Sequence, residues 1–444
     1  MRNLIILLPS VLLTISCSDK SAFEGVLGPL TPGDQSVEQE SVPDTSSITD
    51  FVFQKNIPLT ANYFQNMKSF DVDQDDDLDV ILTETNAKKI TFLENDGEGD
   101  FTVGISLPAT GRVYSNIIAD DINNDGHFDI TVSSSVGFIN IWLNDGSNEF
   151  PNRIDIPTTI NGSAVQFISS GDINNDGNID IAIANTTDST AGSLVILMND
   201  GTPMPSFTQT KLISGLAPYG VVIFDLNHDG FDDIAFTSRT DGLVRIYKSE
   251  SGNLVFHSSL TGSIDPNDSL LTDIVSGDFN KDGSIDLAWG SECRLGKEYC
   301  HKSVYNQHIY TSFNSNSTFS TPAAHLTKAY GDVRMLDTYD MNNDGLLDLI
   351  SIDDMNTNPF SANGEFASLS FLINSDSGFS GVQNKMLAPE YDPVGGITAP
   401  GSSYSNSFAL GDFNNDGLTD FIADAKLNGS SLSSGVRVYF GRRL

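Results

Sequence analysis

A nine-residue pattern, Asp-x-Asp/Asn-x-Asp-Gly-x-x-Asp, recurs along the chain and constrains its fold more than any other feature. Its copies begin at Asp71, Asp121, Asp172, Asp225, Asp278, Asp340 and Asp412. Successive copies are separated by 50, 51, 53, 53, 62 and 72 residues. A period near 50 residues is long for a solenoid repeat and typical of one four-stranded blade of a β-propeller. The sequence therefore predicts an all-β, seven-bladed propeller over residues 51–444.

The second repeat shows most clearly how one blade is built. Residues 116–120 form a candidate strand that leads into the aspartate pattern, and residues 129–133 alternate as a second strand. Residues 138–143 form a third strand, which ends at the turn signal Asn144-Asp145-Gly146, and residues 150–157 supply a fourth. We name these strands A to D. No stretch of comparable length has helical periodicity, which supports the all-β prediction.

The two ends of the repeat region predict how the ring closes. Residues 436–441 correspond to strand C of the seventh blade, and no strand D follows them. Residues 51–58 closely parallel residues 101–108, which are strand D of the first blade. We therefore expect residues 51–58 to complete the last blade, so that no sheet edge is left open between the first and last blades.

The repeated pattern has the chemistry of a calcium loop. Calcium takes six to eight oxygen ligands, and carboxylates at alternate positions of a tight turn converge on one point. Glycine at position 6 permits the positive φ that such a turn needs, and position 7 typically offers a backbone carbonyl. The predicted side-chain ligands, at positions 1, 3, 5 and 9, are Asp71, Asp73, Asp75, Asp79; Asp121, Asn123, Asp125, Asp129; Asp172, Asn174, Asp176, Asp180; Asp225, Asn227, Asp229, Asp233; Asp278, Asn280, Asp282, Asp286; Asp340, Asn342, Asp344, Asp348; and Asp412, Asn414, Asp416, Asp420. The sequence thus predicts up to seven calcium ions.

In the first copy Asp76 replaces the glycine, and we expect that loop to form with a little strain because aspartate tolerates the left-handed conformation better than most residues. Three other interpretations of the pattern are open. An EF-hand would need a glutamate at position 12 and flanking helices, and magnesium prefers a smaller octahedral site. The loops could also be plain β-turns without metal, although three or four carboxylates within nine residues repel one another strongly without a cation.

Net charge narrows the range of partners. The chain carries 59 acidic and 23 basic residues, a formal charge of −36. Such a surface repels nucleic acid and anionic membranes, so we predict neither as a binding partner. The acids fall in regular clusters, which favours neutralisation by cations over a merely soluble, acidic exported protein.

The N-terminus predicts export and a lipid anchor. Arg2 precedes an apolar stretch at residues 4–15, which is too short to span a bilayer because that needs about 20 residues. It ends in Leu13-Thr14-Ile15-Ser16-Cys17, which resembles a bacterial lipobox, although Thr14 departs from the preferred aliphatic residue. We predict a signal peptide at residues 1–16, lipidation at Cys17 and membrane attachment through it, and, since Ser18 follows, an outer-membrane lipoprotein of the cell envelope. The alternative is an ordinary cleaved signal that happens to contain a cysteine.

Residues 17–50 are rich in Gly, Pro, Ser, Thr, Asp and Glu, and we predict a flexible tether there. Cys293 and Cys300 lie in one short segment, which predicts a local disulfide in an oxidising compartment; the alternative is two free thiols.

The repeat resembles the FG-GAP/VCBS family, whose best-known members are the propellers of integrin α subunits. The resemblance covers roughly residues 51–444 and rests on the Asp-x-Asn-x-Asp-Gly-x-x-Asp loops; the phenylalanine-glycine pair of the family survives only in places such as Phe440-Gly441. It implies a calcium-stiffened propeller used for adhesion or ligand recognition, without one shared ligand.

Length variation predicts where a partner binds. In up-and-down blades the A–B turns lie on one face, and the B–C and D–A connections lie on the other. Residues 185–192, 291–304 and 353–368 are the irregular B–C loops, and 388–406 is a long D–A connection. We expect a protein or glycan ligand at that face, opposite the calcium loops. Neutral drift in loop length is the alternative explanation.

Two other functions remain open, a lectin-like module and a polysaccharide-active, lyase-type propeller. Repeated exposed aromatic side chains would favour the lectin, and we find none. The enzyme would need converging acidic and basic side chains at the axis. The chain contains no nucleophile elbow, P-loop, zincin motif or Rossmann fingerprint, so we predict a binding scaffold without catalysis.

Overall fold

A computed structural model describes most of the chain. It describes residues 3–8, 11–16, 50–59, 64–84, 87–110, 117–134, 137–147, 149–158, 165–188, 191–262, 269–293, 308–326, 332–354, 368–379, 382–386, 407–425 and 435–442. The chain divides into two compact units, Met1–Ser47 and Ile48–Leu444. In the first unit, β1 (Asn3–Leu8) and β2 (Val11–Ser16) pair antiparallel. Within the described ranges, no helix is long and apolar enough to cross a membrane.

The second unit contains seven four-stranded antiparallel sheets, each of which is one blade. Blade 1 consists of β4 (Phe64–Phe70), β5 (Asp79–Glu84), β6 (Lys89–Glu94) and β7 (Thr102–Pro108). Blade 2 consists of β8 (Ile118–Asp120), β9 (Asp129–Ser133), β10 (Phe138–Leu143) and β11 (Asn152–Pro157). Blade 3 consists of β12 (Val165–Gly171), β13 (Asp180–Asp188), β14 (Ala191–Asn199) and β15 (Phe207–Ser214). Blade 4 consists of β16 (Pro218–Phe224), β17 (Asp233–Ser238), β18 (Leu243–Glu250) and β19 (Asn253–Thr261).

The remaining blades repeat this order, with one small addition. Blade 5 consists of β20 (Ser269–Gly277), β21 (Asp286–Cys293), β22 (His308–Ser312) and β25 (Ala323–Leu326), and its C–D connection carries a small hairpin of β23 (Asn314–Ser315) and β24 (Thr318–Phe319). Blade 6 consists of β26 (Asp332–Tyr339), β27 (Asp348–Asp354), β28 (Ser368–Leu372) and β29 (Val382–Met386). Blade 7 consists of β30 (Phe408–Gly411), β31 (Asp420–Ala425), β32 (Gly435–Arg442) and, from the start of the unit, β3 (Asp50–Pro58). The predicted all-β, seven-bladed fold is confirmed.

The predicted closure of the ring is also confirmed. β3 pairs antiparallel with β32, from Asp50 opposite Arg442 to Pro58 opposite Gly435. Phe51 anchors this strand, since its ring lies 4.7 Å from that of Phe421 in the same blade. The strand that precedes the first repeat therefore supplies the outer strand of the last one.

The burial pattern follows from the stacking of blades around the ring. B strands such as β5 and β9 are buried along their whole length because neighbouring blades cover both of their faces. Outer strands such as β15 alternate between exposed and half-buried residues. The core lies between adjacent blades; Phe92 of blade 1 and Trp142 of blade 2, for example, belong to one buried cluster. Consecutive blades therefore pack against each other around the ring.

The aspartate loops are the A–B turns of all seven blades, so they share one face of the ring. Position 9 of every loop is the first residue of strand B, as predicted. On the opposite face, the predicted bounds of the loop at residues 185–192 are wrong. β13 continues to Asp188 and β14 begins at Ala191, because Asn185 and Thr186 pair across to Ser193 and Gly192. That segment is therefore an extended hairpin.

Candidate metal centres

The loop backbone turns tightly at two places. Position 6 has a positive φ in every copy, from 80 to 91° at the six glycines and 74° at Asp76. Asp76 therefore adopts the left-handed conformation that its sequence predicts. Position 4 is also left-handed, with φ between 55 and 63°, at Gln74, Asn124, Asn175, His228, Lys281, Asn343 and Asn415. Asparagine stands there in four copies, which fits its tolerance of this conformation.

The aspartate at position 1 shapes the turn. In all seven loops one carboxylate oxygen accepts the N–H of position 5 at 2.9–3.3 Å, and the other accepts the N–H of position 6 at 2.6–3.0 Å. The position-5 carboxylate accepts the N–H of position 7 at 2.8–3.1 Å. These bonds bend the backbone so that the side chains of positions 1 and 5 face the inside of the turn.

The aspartate at position 9 is buried in every loop. One of its oxygens accepts the N–H of position 2 at 2.8–3.2 Å, and the other accepts the N–H of a residue at or just beyond the end of strand C at 2.6–2.8 Å. Burial raises the carboxyl pKa to about 7 at Asp79, Asp129, Asp286, Asp348 and Asp420, and to about 6 at Asp180 and Asp233. The backbone N–H groups and the neighbouring acids shift these pKa values less. Burial thus disfavours the charged form of seven carboxylates, and a bound cation would favour it.

Two features of the loops fit an oxygen-liganded cation. In the first loop, ligand atoms of Asp71, Asp73 and Asp79 lie within 4.8 Å of one another. In the fourth loop, Oδ1 of Asn227 is buried and has no hydrogen-bond partner, although its side-chain nitrogen donates to Asp229 at 2.8 Å. An unpaired buried acceptor is costly unless something binds it. Among the described residues, only the first loop brings three acidic ligand atoms that close together; in the other six loops an asparagine occupies position 3. The oxygen donors at positions 1, 3, 5 and 9 are of the kind that a hard cation such as calcium prefers.

The seven loops differ in electrostatics. The first carries six acids between Asp71 and Asp79, and burial, followed by the charges of Asp75 and Asp71, raises the pKa of Asp73. In the fourth loop, Nζ of Lys248 lies 3.2 Å from Oδ2 of Asp229, and hydrogen bonds and this cation lower the pKa of Asp229 against the opposing effect of its burial. A protein cation already compensates part of that loop, so we expect the fourth loop to attract a metal ion less strongly than the first.

One group of residues at this face was not predicted from the sequence. From sequence, the segment at the end of strand C, such as Asn144-Asp145-Gly146, indicates only a turn. In the structure a residue of that segment donates its backbone N–H to the position-9 aspartate of its own blade. An asparagine recurs here at Asn95, Asn144, Asn199, Asn314 and Asn374, and this recurrence was the available signal.

A cavity of about 200 Å³ lies among the inner strands and contains the converging charges that an enzyme would need. Nζ of Lys68 lies 3.5 Å from Oδ2 of Asp337. Asp273 is 3% exposed, and its two oxygens accept the N–H groups of Ile274 and Leu336, at 2.9 and 3.1 Å. Burial raises the pKa of Asp273 to about 7. Asp337 already forms an ion pair, and Asp273 already accepts two backbone hydrogen bonds. We therefore interpret the arrangement as a link between the inner strands.

Several predicted sites fall outside the described residues. Cys17, Cys300 and most of the tether at residues 17–50 lie there, and Cys293 is described only as the last residue of β21. Residues 294–307, 355–367 and 387–406, which contain most of the irregular loops, lie there too. The lipid anchor, the disulfide and the recognition loops therefore stay predictions.

The fold and its loops define a class of protein, a closed seven-bladed β-propeller with one acidic loop in each blade. Four overlapping matches to the FG-GAP-like repeat cover residues 71–132, 121–183, 172–236 and 225–289. Each match begins at position 1 of an aspartate loop. The chain is an FG-GAP repeat propeller, as its resemblance predicts.

Solved structures share the fold at low identity. A chain of the crystal structure of BBS1N in complex with ARL6DN, soaked with mercury, matches with a TM-score of 0.53 and 9% identity over 88% of this chain and 97% of that chain. A chain of the lead-soaked crystal of the same complex matches with a TM-score of 0.52 and 10% identity over 87% of this chain and 96% of that chain. No curated protein sequence matches the chain. These likenesses extend to the fold alone.

Proposed function

We propose that the chain is a calcium-stabilised binding scaffold that is exported and lipid-anchored, and that it binds a protein or glycan through the face opposite the aspartate loops. One observation carries the calcium part. The same carboxylate geometry recurs in all seven blades, with a buried position-9 aspartate whose pKa is raised to about 6 or 7. A bound cation stabilises the charged form of such a group.

Calcium suits these loops better than the alternatives. The strands that flank each loop are unlike the helices of an EF-hand. Magnesium demands a small octahedral site and keeps several waters, whereas each loop offers side-chain oxygens at four positions of a nine-residue turn. A plain β-turn would leave the buried carboxylates at position 9 without compensation.

Export and anchoring rest on the lipobox-like segment that ends at Cys17. A lipid on Cys17 and a tether at residues 17–50 would hold the propeller at the cell envelope while leaving both of its faces accessible. Replacing Cys17 by Ser is expected to shift the protein from the membrane fraction to the soluble envelope fraction. Unchanged fractionation would remove this part of the proposal.

The proposal of a recognition face is based on the topology of the blades and on the length of the connections between strands. The aspartate loops occupy the A–B face, and the long connections at 294–307, 355–367 and 387–406 leave the strands on the other face. The cavity among the inner strands favours binding over polysaccharide cleavage. Its volume of about 200 Å³ is below the roughly 300–1,000 Å³ of typical ligand pockets, and its carboxylates already accept hydrogen bonds.

Calcium stoichiometry tests the metal centres. Equilibrium dialysis of the full chain is expected to give up to seven calcium ions. Asp125→Asn in the second loop should remove one of them, and Asp145→Asn, an exposed aspartate outside the loop in the same blade, should remove none. Each site at 100 times its dissociation constant would add about 2.7 kcal/mol of stability. A melting temperature that chelator leaves unchanged would reject the calcium centres.

Loop replacement tests the binding face. A glycan array and a pull-down from the outer surface of the host would first identify the ligand. Short turns in place of residues 294–307 and 355–367 should then abolish ligand binding and leave calcium stoichiometry intact. Full binding after both replacements would contradict the proposed face.

A further inference from the structure

Hydrogen bonds join the aspartate loops of adjacent blades around the whole ring. Within the described part of the chain, each of the seven interfaces between blades carries at least one hydrogen bond that ends on an aspartate loop. The loops are therefore one closed belt of contacts. Two kinds of side chain build this belt.

The first kind is the left-handed residue at position 4, which reaches forward to the next loop. Gln74 donates to the carbonyl of Gly126 at 3.0 Å, and Lys281 donates to that of Asp344 at 3.2 Å. The same contact is made by Asn124 to Gly177 and by Asn343 to Gly417, while Asn415 donates to Oδ1 of Asp77 and to the carbonyl of Gly97. The positive φ at position 4 aims these side chains out of their own loop.

The second kind is the residue at the end of strand C whose backbone N–H binds the position-9 aspartate; its side chain reaches back to the preceding loop. Five of these residues donate a side-chain hydrogen bond to the carbonyl of position 2 in the preceding blade, and we name them the latch residues. They are Asn95 to Phe413 at 2.8 Å, Asn199 to Ile122 at 2.8 Å, Ser249 to Ile173 at 2.7 Å, Asn314 to Leu226 at 2.9 Å, and Asn374 to Phe279 at 2.6 Å. All five are at least nine-tenths buried, so water competes little for these bonds.

A latch residue connects two predicted metal ligands through three hydrogen bonds. Oδ1 of Asp180 accepts the N–H of Asn199 at 2.8 Å, and the side chain of Asn199 donates to the carbonyl of Ile122 at 2.8 Å. The N–H of Ile122 in turn donates to Oδ2 of Asp129 at 3.0 Å. A displacement of one carboxylate therefore reaches the carboxylate of the neighbouring loop through contacts that are all buried.

We propose that the latch residues are positioning residues that couple adjacent metal centres, so that filling one loop favours filling its neighbours; this inference rests on the proposed calcium function. A calcium ion that fixes the position-9 aspartate of one blade also fixes the latch residue and, through it, the position-2 backbone of the preceding loop. The coupling is reciprocal, as thermodynamic linkage requires. One net hydrogen bond corresponds to roughly threefold to tenfold in the affinity of the neighbouring loop.

Blade 2 provides a matched control for a latch variant. Asn144 occupies the position of Asn199, and its backbone N–H likewise donates to the position-9 aspartate at 2.8 Å. Each side-chain oxygen accepts the N–H of the turn glycine at 3.0 Å. Among the described contacts, none joins the Asn144 side chain to the loop of blade 1. Asn199→Ala and Asn144→Ala therefore lose the same turn contact. Asn199→Ala also loses a bond to the carbonyl of Ile179 in its own loop, at 3.1 Å, and only Asn199→Ala loses a bond to the preceding loop, which is why the second loop is the one monitored.

The test follows calcium loading loop by loop, by hydrogen–deuterium exchange of the full chain during a calcium titration. In Asn199→Ala the calcium midpoint of the second loop, residues 121–129, should rise roughly threefold to tenfold although its own ligands are intact. In Asn144→Ala the midpoint of the first loop, residues 71–79, should stay at its wild-type value. A wild-type midpoint for the second loop in Asn199→Ala overturns the coupling, as does an equal rise at the first loop in Asn144→Ala.

A chelator arm separates this inference from the calcium proposal. Without metal, Asn199→Ala should still speed exchange of the amides in residues 121–129, since the latch bond joins two protein groups and includes no metal ligand. Absence of calcium-dependent protection in the wild type rejects the proposed function, and the coupling of metal centres with it. Calcium protection in every loop with independent midpoints rejects only the coupling.

Discussion

Calcium binding should release protons, and the number released follows from the buried aspartates. In the metal-free protein the position-9 pKa is raised to about 7 in five loops and to about 6 in two. Because these values lie above the ordinary 3.8, the protonated acids favour the folded state at low pH. That contribution is complete below about pH 4 and is lost progressively as pH rises to about 6 or 7, so the protein without calcium should lose stability over this range.

The expected proton count depends steeply on pH. At pH 6.5 a group of pKa 7 is about three-quarters protonated and a group of pKa 6 about one-quarter, so filling all seven loops releases about four protons. At pH 8 the same groups are almost fully ionised, and the release falls below about one proton. Calcium affinity should therefore weaken steeply below pH 6.5, because each ion must displace protons.

Isothermal titration calorimetry measures this directly. Calcium is titrated into the metal-free protein at pH 6.5 and pH 8 in pairs of buffers with different heats of ionisation. The slope of the apparent enthalpy against buffer enthalpy is the number of protons released. A slope near zero at pH 6.5, with calcium still bound, would refute the assignment of the buried position-9 carboxylates as ligands.

Three further predictions concern stability, each measured by urea or thermal unfolding. Asp273→Asn should remove a pH-dependent loss of stability between about pH 4 and pH 7, of up to about 1.4 kcal/mol per pH unit. Identical pH profiles of stability for wild type and Asp273→Asn would contradict the burial argument. Phe51→Ala should lower the free energy of unfolding by about 3–5 kcal/mol because it removes the buried ring from the strand that closes the propeller. Val52→Ala, on the exposed side of the same strand, should lower it by less than about 1 kcal/mol. Equal losses in the two variants would refute the role of this strand in closure. Asp76→Gly should stabilise the calcium-free protein by about 1 kcal/mol because glycine adopts the left-handed conformation without backbone strain. A loss of stability would show that contacts of the Asp76 side chain contribute more to stability than the strain removes.

The architecture could be predicted because its information is local and repeated. Each aspartate pattern places an acid at the first residue of strand B, so Asp129 and its counterparts mark where every blade turns back. The likeness of residues 51–58 to residues 101–108 was enough to predict β3 as an outer strand. Neither inference needed knowledge of how the blades pack.

The contacts between loops could not be predicted in this way. Asn144-Asp145-Gly146 and Asn199-Asp200-Gly201 have the same sequence and form the same turn. Only Asn199 reaches the preceding loop among the described contacts, because that bond depends on how closely two blades approach. The approach is set by core side chains far away in sequence. Local sequence therefore predicts the turn, and packing decides which of these asparagines is a latch residue.

The loops hold their shape through the protein's own hydrogen bonds, and this separates the role of calcium from that of the fold. In each loop both oxygens of the position-1 and position-9 aspartates already accept backbone N–H groups, and position 2 is buried beneath them. Calcium should therefore compensate charge in a turn that the protein's own hydrogen bonds shape. Chelator at 25 °C and low salt is expected to lower the melting temperature while the far-ultraviolet circular dichroism keeps its β-sheet signal. Loss of that signal on chelation alone would mean that the metal forms the loops, as it does in small zinc domains.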